Sequence, residues 1–395
     1  MKSTKPKIKV LFRLRSLEMG GVPRVIFDLL ENLPKDKFDF TLMLNLYQGE
    51  LTQEIPNGIK VIVIEKGKEY MSKNPFIQKI QLLLRRVKLE IYDWFPSLLY
   101  AIKVPDKYDI EIASSYTEFD MVLNSPLKDS RKIAWFHTDV SYDKDENRVK
   151  NRIDKMKKFD HVVFCAAHIR NVIEDLYHVT YPNSSVVYNA IHVEDVKAKS
   201  EEINVNYHDL QYPVFCSVGR LHRRKGYDAL IRVHQKLIKE GLMHSIVVLG
   251  DGEERDNLLT QIKACQVETT FKLLGTKVNP YPYIKNADYF VLPTRSEAYP
   301  LVINEALALE KVIISTNVGG IPEMIDDGKD GILVNPNEED IYEGIKRMLQ
   351  DPAWVEMIKL NTKQAYHKFD ADKIYQQVTS IFEHQYQLKI ANVRK

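Results

Sequence analysis

Short apolar and β-branched runs recur along the first half of the chain, separated by stretches whose apolar residues return every three or four positions. Ile8–Phe12, Phe40–Leu46, Val61–Ile64, Ile110–Ala113, Ile133–Phe136 and Val162–Cys165 are such runs. The second half repeats the pattern at Val214–Val218, Ser245–Leu249, Phe271–Leu274, Tyr289–Leu292 and Val312–Ser315. Runs that stay apolar on both alternations, bounded by Gly, Pro or Asp, suit parallel strands covered on both faces. The stretches between them, such as Tyr227–Glu240 and Leu301–Leu309, carry helical spacing. Repeated β-α units predict an α/β protein with doubly wound parallel sheets.

A seam is expected at Ala190–Tyr212, a polar stretch without strand character that separates the two sets of runs. It divides the 395 residues into a first domain, 1–190, and a second, 191–370. Beyond Asp351 the spacing is helical, over Trp354–Tyr366 and Ala371–Leu388. The tail, 371–395, is read as a helix that packs back on the first domain.

One segment departs from this rhythm. Phe76–Val104 mixes Lys and Arg with Leu, Ile, Trp, Phe and Tyr at helical spacing. Such a basic amphipathic stretch can lie in a membrane interface, or it can be a helix pair packed on the first core with its cations in water. No window approaches the ~20 uncharged residues of a membrane span. The basic N-terminal residues Met1–Val10 lead into an apolar run broken by Arg13 and Arg15, unlike a signal peptide.

Composition narrows the classes further. The net charge of +2 gives no global attraction to nucleic acid, so any ionic partner must be met by a local patch. Cys165, Cys216 and Cys265 form no CxxC and no metal-ligand spacing, which suits a reducing compartment. The expectation is a cytoplasmic protein, peripheral on the cytoplasmic face of the membrane if Phe76–Val104 meets lipid.

The candidate chemistry lies mainly in the second half. Strand Val214–Val218 runs into Gly219-Arg220-Leu221-His222-Arg223-Arg224-Lys225-Gly226. A glycine at a strand's carboxyl end lets a ligand approach the backbone, and open parallel sheets bind ligands there. Arg220 offers a bidentate fork and Lys225 a point charge, a combination suited to a diphosphate. Read alone, the segment would also fit a solvated basic loop. Gly250-Asp251-Gly252 follows Val247–Leu249 as a strand-to-helix turn.

Then comes Ser296-Glu297-Ala298-Tyr299-Pro300-Leu301-Val302, with Glu305 beyond it. Pro300 is expected at a first helical position. The free N–H groups of Leu301 and Val302 can cradle an anion at the helix start. Glu305 lies eight residues after Glu297, about 12 Å if all were helical, so the two carboxylates could grip hydroxyls at both ends of an elongated ligand.

These motifs, in this order and spacing, resemble the retaining glycosyltransferases of family four, with their two-Rossmann GT-B architecture. The likeness rests on Gly219-Arg220-Leu221, Lys225-Gly226 and Asp228, on Gly250-Asp251-Gly252 and Arg255, on Glu297 and Glu305, and on Val318-Gly319-Gly320-Ile321-Pro322-Glu323. It spans about Phe215–Val334. The resemblance implies two Rossmann-like domains facing a cleft, the acceptor held by the first and the nucleotide-sugar donor by the second. It implies that Arg220 and Lys225 neutralise the donor diphosphate, that Glu305 holds the ribose hydroxyls and that Glu297 contacts the transferred sugar. Gly275, Lys277 and Val278 would border the base. In the first half, Gly20-Gly21-Val22-Pro23-Arg24 is similar to the family's glycine-rich loop, facing the phosphates across the cleft. His137, in Trp135-Phe136-His137-Thr138-Asp139, stands where the family has a histidine near the sugar. Ala298, where glycine is frequent, and Pro300 depart from the pattern and bear on sugar choice.

The activity so implied is transfer of a hexose or N-acetylhexosamine, from a UDP-sugar in preference to a GDP-sugar, to a glycan acceptor. A lipid-linked acceptor in bacterial surface polysaccharide synthesis (capsule, O-antigen or lipopolysaccharide) fits the basic amphipathic segment. No Asp-x-Asp motif is suitably placed, so no metal and no cofactor is expected. Two other readings stay open: a nucleotide-sugar epimerase or hydrolase of the same fold, and a non-catalytic scaffold subunit.

Overall fold

The computed structural model describes residues 6–365 and 369–393. The first half of the basic N-terminal stretch and Tyr366, the end expected for the Trp354 helix, lie outside the described residues. Strands β1–β7 (Ile8–Leu14, Phe38–Tyr47, Lys60–Lys66, Ile110–Ala113, Arg131–Phe136, His161–Phe164 and Ser184–Val186) form one sheet, ordered β3-β2-β1-β4-β5-β6-β7. Strands β8–β13 (Val214–Val218, Ser245–Leu249, Phe271–Leu273, Tyr289–Leu292, Val312–Thr316 and Ile332–Val334) form a second, ordered β10-β9-β8-β11-β12-β13. Every pairing is parallel. Both are doubly wound Rossmann-like sheets, and the strand order reverses between β1 and β4 and between β8 and β11. In sheets of this kind ligands bind off the strands' carboxyl ends at those reversals.

Two strands are absent from the sequence reading, β7 and β13. Each is three residues long and at a sheet edge, as is β10, which falls within the longer apolar run Phe271–Leu274. The polar stretch Ala190–Tyr212 holds a helix, Val193–Ser200, whose buried residues are Val196 and Ser200.

One apolar cluster runs without a break from the first sheet into the second. It joins Phe136, Phe164 and Ala166 to Ala298, Tyr299, Ile303 and Ile321. The helix Ala371–Val393 lies on the first sheet, with Phe382 against Phe12 (6.2 Å between ring centres) and Phe38 (5.7 Å).

Phe76–Val104 forms two helices, Pro75–Trp94 and Pro96–Lys103. Asn74 caps the first, accepting from the Phe76 and Ile77 N–H groups, with proline at its first position. Tyr92, Leu99 and Tyr100 bury against Leu11, Met43 and Ile62. The outer face keeps large apolar side chains in solvent: Phe76 is 72% exposed and Trp94 80%, with Leu83, Leu84, Phe95 and Ile102 beside them. Among the described residues no helix is long and apolar enough to cross a membrane.

Candidate active site

The glycines of the second half set how closely the site loops approach one another. Gly250 has φ +141, and a Cβ there would fall 2.1 Å from the Gly219 carbonyl oxygen. Gly219 N–H donates to the Leu249 carbonyl (2.9 Å), so the ends of β8 and β9 stay in contact. At Gly226 (φ +74) a Cβ would meet the Pro293 oxygen at 1.9 Å, and at Gly319 (φ +56) the Glu297 oxygen at 1.6 Å. Gly320 N–H then donates to the Glu297 and Ala298 carbonyls, at 3.3 and 3.1 Å. Only glycine allows these approaches.

Upon this frame sits Lys225. Its chain lies under Gly219, where a Cβ would be 3.4 Å from Lys225 Cε. Its ammonium pairs with Glu297 Oε1, which also accepts from the Thr294 hydroxyl at 3.2 Å. Both partners are largely buried. Arg220 turns outward instead. It is exposed, and its Nε donates to Glu253 at 3.2 Å, with His222 on the same carboxylate at 3.5 Å. Lys225 and Arg220 therefore flank one strand end but hold different partners.

Glu305 is buried on the helix Leu301–Ala308. Pro300 is the residue before that helix, one place earlier than expected, so Leu301 and Val302 supply its first two N–H groups. Burial pushes the Glu305 carboxyl above its ordinary range, while Arg24 and then Tyr281 oppose the shift. Tyr281 hydroxyl donates to Glu305 Oε1 at 3.3 Å, and Arg24 Nη1 lies 3.5 Å from the same oxygen. The second oxygen, Oε2, is buried and has no partner among the described residues.

Arg24 belongs to the first half. It is the fourth residue of the helix Gly21–Asn32, which starts at the glycine pair off β1. Gly20 is extended (φ 178), and a Cβ on Gly21 would stand 3.9 Å from Leu301 Cδ1. The glycine loop therefore closes on the start of the Leu301 helix. Pro23 falls in the first helical turn, where its missing N–H has no intrahelical partner to lose. Arg24 Nη2 also donates to the Val278 carbonyl at 3.1 Å, and the Val278 side chain is exposed.

His137 lies just beyond β5, stacked on Trp135 with ring centres 6.1 Å apart. Its Nε2 is buried without a partner among the described residues, and burial lowers its pKa to about 4. It is neutral near pH 7, able to hydrogen-bond a hydroxyl but not to act as a cation. Two residues on, Asp139 accepts from the buried Ser296 hydroxyl at 2.8 Å, beside Glu297. Another crossing is made by Glu323, which accepts from the Ala167 (3.0 Å) and His168 (2.6 Å) N–H groups at the start of the helix Ala167–Tyr177.

The site thus joins Lys225 to Glu297, and Gly21 to Leu301, from separate parts of the chain. Arg24, Tyr281, Asp139 and Ser296 had no assigned role in the sequence reading. Arg24, Asp139 and Ser296 sat inside noted motifs, but a hydrogen bond to the other half leaves no local pattern. Among the described residues no group of three or more His, Cys, Asp or Glu could hold a metal ion.

The family profile described as Glycosyltransferase Family 4 matches residues 19–195, and that described as Glycosyl transferases group 1 matches residues 198–366. The chain is a family-four glycosyltransferase. It is 27% identical over 368 residues to the N-acetylgalactosamine-N,N'-diacetylbacillosaminyl-diphospho-undecaprenol 4-alpha-N-acetylgalactosaminyltransferase of Campylobacter jejuni, covering 91% of this chain and 95% of that protein. It is 26% identical over 262 residues to the capsular polysaccharide biosynthesis glycosyltransferase CapM of Staphylococcus aureus, covering 58% of this chain and 67% of that protein. Its fold matches Anabaena Alr3699/HepE, crystallised with UDP, at a TM-score of 0.72 and 17% identity over 95% of this chain and all of that one. TarM matches at 0.73 and 13% identity, over 96% of this chain and 99% of that one. The GT-B architecture of this glycosyltransferase, two Rossmann-like domains, accounts for both sheets.

Proposed function

We propose that this glycosyltransferase is retaining and metal-independent, and moves a hexose or N-acetylhexosamine from a UDP-sugar to a lipid-linked glycan acceptor in bacterial surface polysaccharide synthesis. The observation that carries the reading is the Lys225–Glu297 pair beneath Gly219, with buried Glu305 one helix away. A cation at a strand end suits a diphosphate, and two acids suit the hydroxyls to either side. Solved neighbours crystallised with UDP and with UDP-glucose support uridine as the base. The Campylobacter relative, named for a diphospho-undecaprenol-linked saccharide, supports a lipid-linked acceptor.

In the reaction the bond between the anomeric carbon and the donor phosphate oxygen breaks. The acceptor oxygen bonds that carbon from the same face, and its proton passes to the departing phosphate oxygen. The products are a glycoside and UDP. Negative charge grows on the leaving diphosphate. Lys225 and the first N–H groups of the Leu301 helix stabilise it by preorganised electrostatics. Arg220 joins them by leaving Glu253, an exposed pairing that costs little to break. Glu305 grips the ribose, Glu297 and neutral His137 the sugar.

The exposed ridge of Phe76, Leu83, Leu84, Trp94, Phe95 and Ile102, with Lys79, Arg85 and Arg86 in the first of the two helices, suits an anionic bilayer surface. It would hold the enzyme where a lipid-linked acceptor lies.

The test is UDP release from a panel of UDP-sugars with polyprenyl-diphosphate saccharides in anionic vesicles, with and without EDTA. Turnover that survives EDTA, with an α-linked product from an α-linked donor by NMR, supports the proposal. An inverted product, or release that stops with EDTA and returns with Mg²⁺, overturns the corresponding part.

A further inference from the structure

The segment that carries His137 and the loop that carries Glu297 come from different halves, and a single side-chain hydrogen bond joins them. The Ser296 hydroxyl donates to Asp139 Oδ2 at 2.8 Å. Among the described residues no other hydrogen bond links residues 137–142 to residues 296–300. We infer that Asp139 is a positioning residue for transfer: through Ser296 it sets where His137 stands relative to Glu297, the two groups proposed to grip the sugar. This rests on those proposed roles.

The Asp139 carboxylate divides its oxygens between the halves. Oδ1 accepts from the Ser141 N–H at 3.0 Å and from the Ser141 hydroxyl at 2.6 Å, capping the short 3₁₀ turn Val140–Tyr142. That ties the carboxylate to its own segment, two residues after His137. Oδ2 is left for Ser296. Asp139 is 5% exposed and Ser296 1%, so the bond is shielded from competing water. A hydrogen bond to an ionised carboxylate is also stronger than one between neutral groups.

Ser296 passes its position on to Glu297. The two are adjacent in the chain, and the Thr294 hydroxyl lies 3.2 Å from both the Ser296 carbonyl and Glu297 Oε1. On the other side the His137 ring stacks on Trp135, and its Nε2 has no partner among the described residues. The backbone from which it hangs therefore does much to place it. The loop's other contacts act elsewhere. Gly319 and Gly320 lie against the Glu297 and Ala298 carbonyls, Tyr188 stacks on Tyr299, and Lys225 holds the Glu297 carboxylate. None of these reaches residues 137–142. Misplacing a positioning group by about 1 Å costs on the order of 10²-fold in rate. The contacts proposed for the diphosphate and ribose, at Lys225, the Leu301 helix start and Glu305, do not pass through Asp139. Loss of the bond should therefore fall on the sugar step and spare the nucleotide.

The experiment compares wild type with Ser296→Ala, which removes the hydroxyl and leaves the Ser141 cap, and with Asp139→Asn, whose amide N–H can still bond the Ser296 oxygen. Ser296→Cys, a weak donor of similar size, gives a second reading of the same loss. Thermal melts first establish that each folds. Steady-state kinetics use the UDP-sugar that wild type turns over, and calorimetry reads UDP itself. The positioning role predicts kcat at least tenfold lower in Ser296→Ala and clearly lowered in Ser296→Cys, with UDP affinity within twofold of wild type in both. It predicts kcat within threefold of wild type in Asp139→Asn. UDP binding that weakens in step with kcat would mean a general loosening of the site, and overturns it. So does an Asp139→Asn loss as large as that of Ser296→Ala, which would make the charge and not the bond the requirement. Full turnover in Ser296→Ala, while Glu297→Gln and His137→Ala lose theirs, overturns the positioning role and leaves the sugar roles standing. Full turnover in Glu297→Gln and His137→Ala sinks those roles, and that of Asp139 with them.

Discussion

Lys225 and Glu297 form the polar pair on which turnover is expected to depend most. Neither has a second ionic partner among the pairs formed by the described residues, and both are mostly buried, so each holds the other in place. Lys225→Met removes the cation and leaves a buried carboxylate unpaired. Steady-state kinetics should show kcat reduced on the order of 10²-fold or more, the usual effect of deleting a preorganised charge at a developing anion. Arg220→Ala should reduce kcat as well, yet leave the melting temperature within a degree or so, because its Glu253 partner is exposed. Equal turnover in Arg220→Ala and wild type would remove Arg220 from the mechanism.

Buried histidines act on stability at the same scale. Burial lowers the pKa of His137 and of His161 to about 4, and it lowers those of the His234–His244 pair as well. His234 Nδ1 and His244 Nε2 are 2.9 Å apart, with Thr270 on the other His234 nitrogen at 2.8 Å. Unfolded, each imidazole takes a proton below about pH 6.5; folded, each resists until far lower. The unfolded chain therefore binds more protons in that window. Their contribution is complete above about pH 6.5 and is lost as pH falls toward 4, by at most ~1.4 kcal/mol per unit for each histidine. Urea midpoints measured from pH 7.5 to 5 should fall. The slope should flatten in a His234→Leu, His244→Phe double variant, provided that variant folds.

Among the elements, the loop Ser296–Pro300 is fixed from several sides by others. Gly319 and Gly320 lie against its carbonyls, Asp139 holds Ser296, and Tyr188 stacks on Tyr299 at 5.1 Å. Gly319→Ala puts a methyl into the Glu297 carbonyl and a side chain at φ +56. It should cost more than ~2 kcal/mol in chemical unfolding and move Glu297 enough to cost activity. The cap made by Glu323 on the helix Ala167–Tyr177 is a separate element-level contact. Glu323→Ala should cost about 1 kcal/mol, as other lost N-caps do. The helix Pro75–Trp94 is held by few buried residues, chiefly Tyr92. Replacing Leu83, Leu84 and Trp94 with Gln should leave the melting temperature nearly unchanged and abolish co-sedimentation with anionic vesicles. Vesicle binding that persists in this triple variant would contradict membrane contact through the ridge.

Over the whole molecule, the last helix ties the chain's end to its beginning. Tyr375 hydroxyl meets both Asp28 oxygens at 2.8 and 2.7 Å and stands 2.6 Å from His192 Nε2. Asp28 is on the helix that carries Arg24, and burial raises its pKa to about 6, against the Tyr375 hydrogen bond and His192. Phe382 fills the first sheet's core, so Phe382→Ala should cost roughly 3–5 kcal/mol of stability. A loss confined to the first half would appear as an earlier, separate transition in calorimetry.

The alternation of apolar runs and helical stretches by itself determined the α/β class and two parallel sheets, because burial on both faces leaves a continuous apolar run. It also marked Lys225, Glu297 and Glu305, since glycine turns and charged residues at strand ends are local in sequence. The edge strands β7 and β13 escaped, while the equally short edge strand β10 was legible as part of the apolar run Phe271–Leu274. Only the tertiary structure decided the partners: that Lys225 meets Glu297, that Arg220 faces Glu253, and that Arg24, Asp139 and Glu323 reach across the halves. Those contacts join residues up to 281 positions apart. Their energy depends on how the two sheets meet, which no short stretch of sequence encodes.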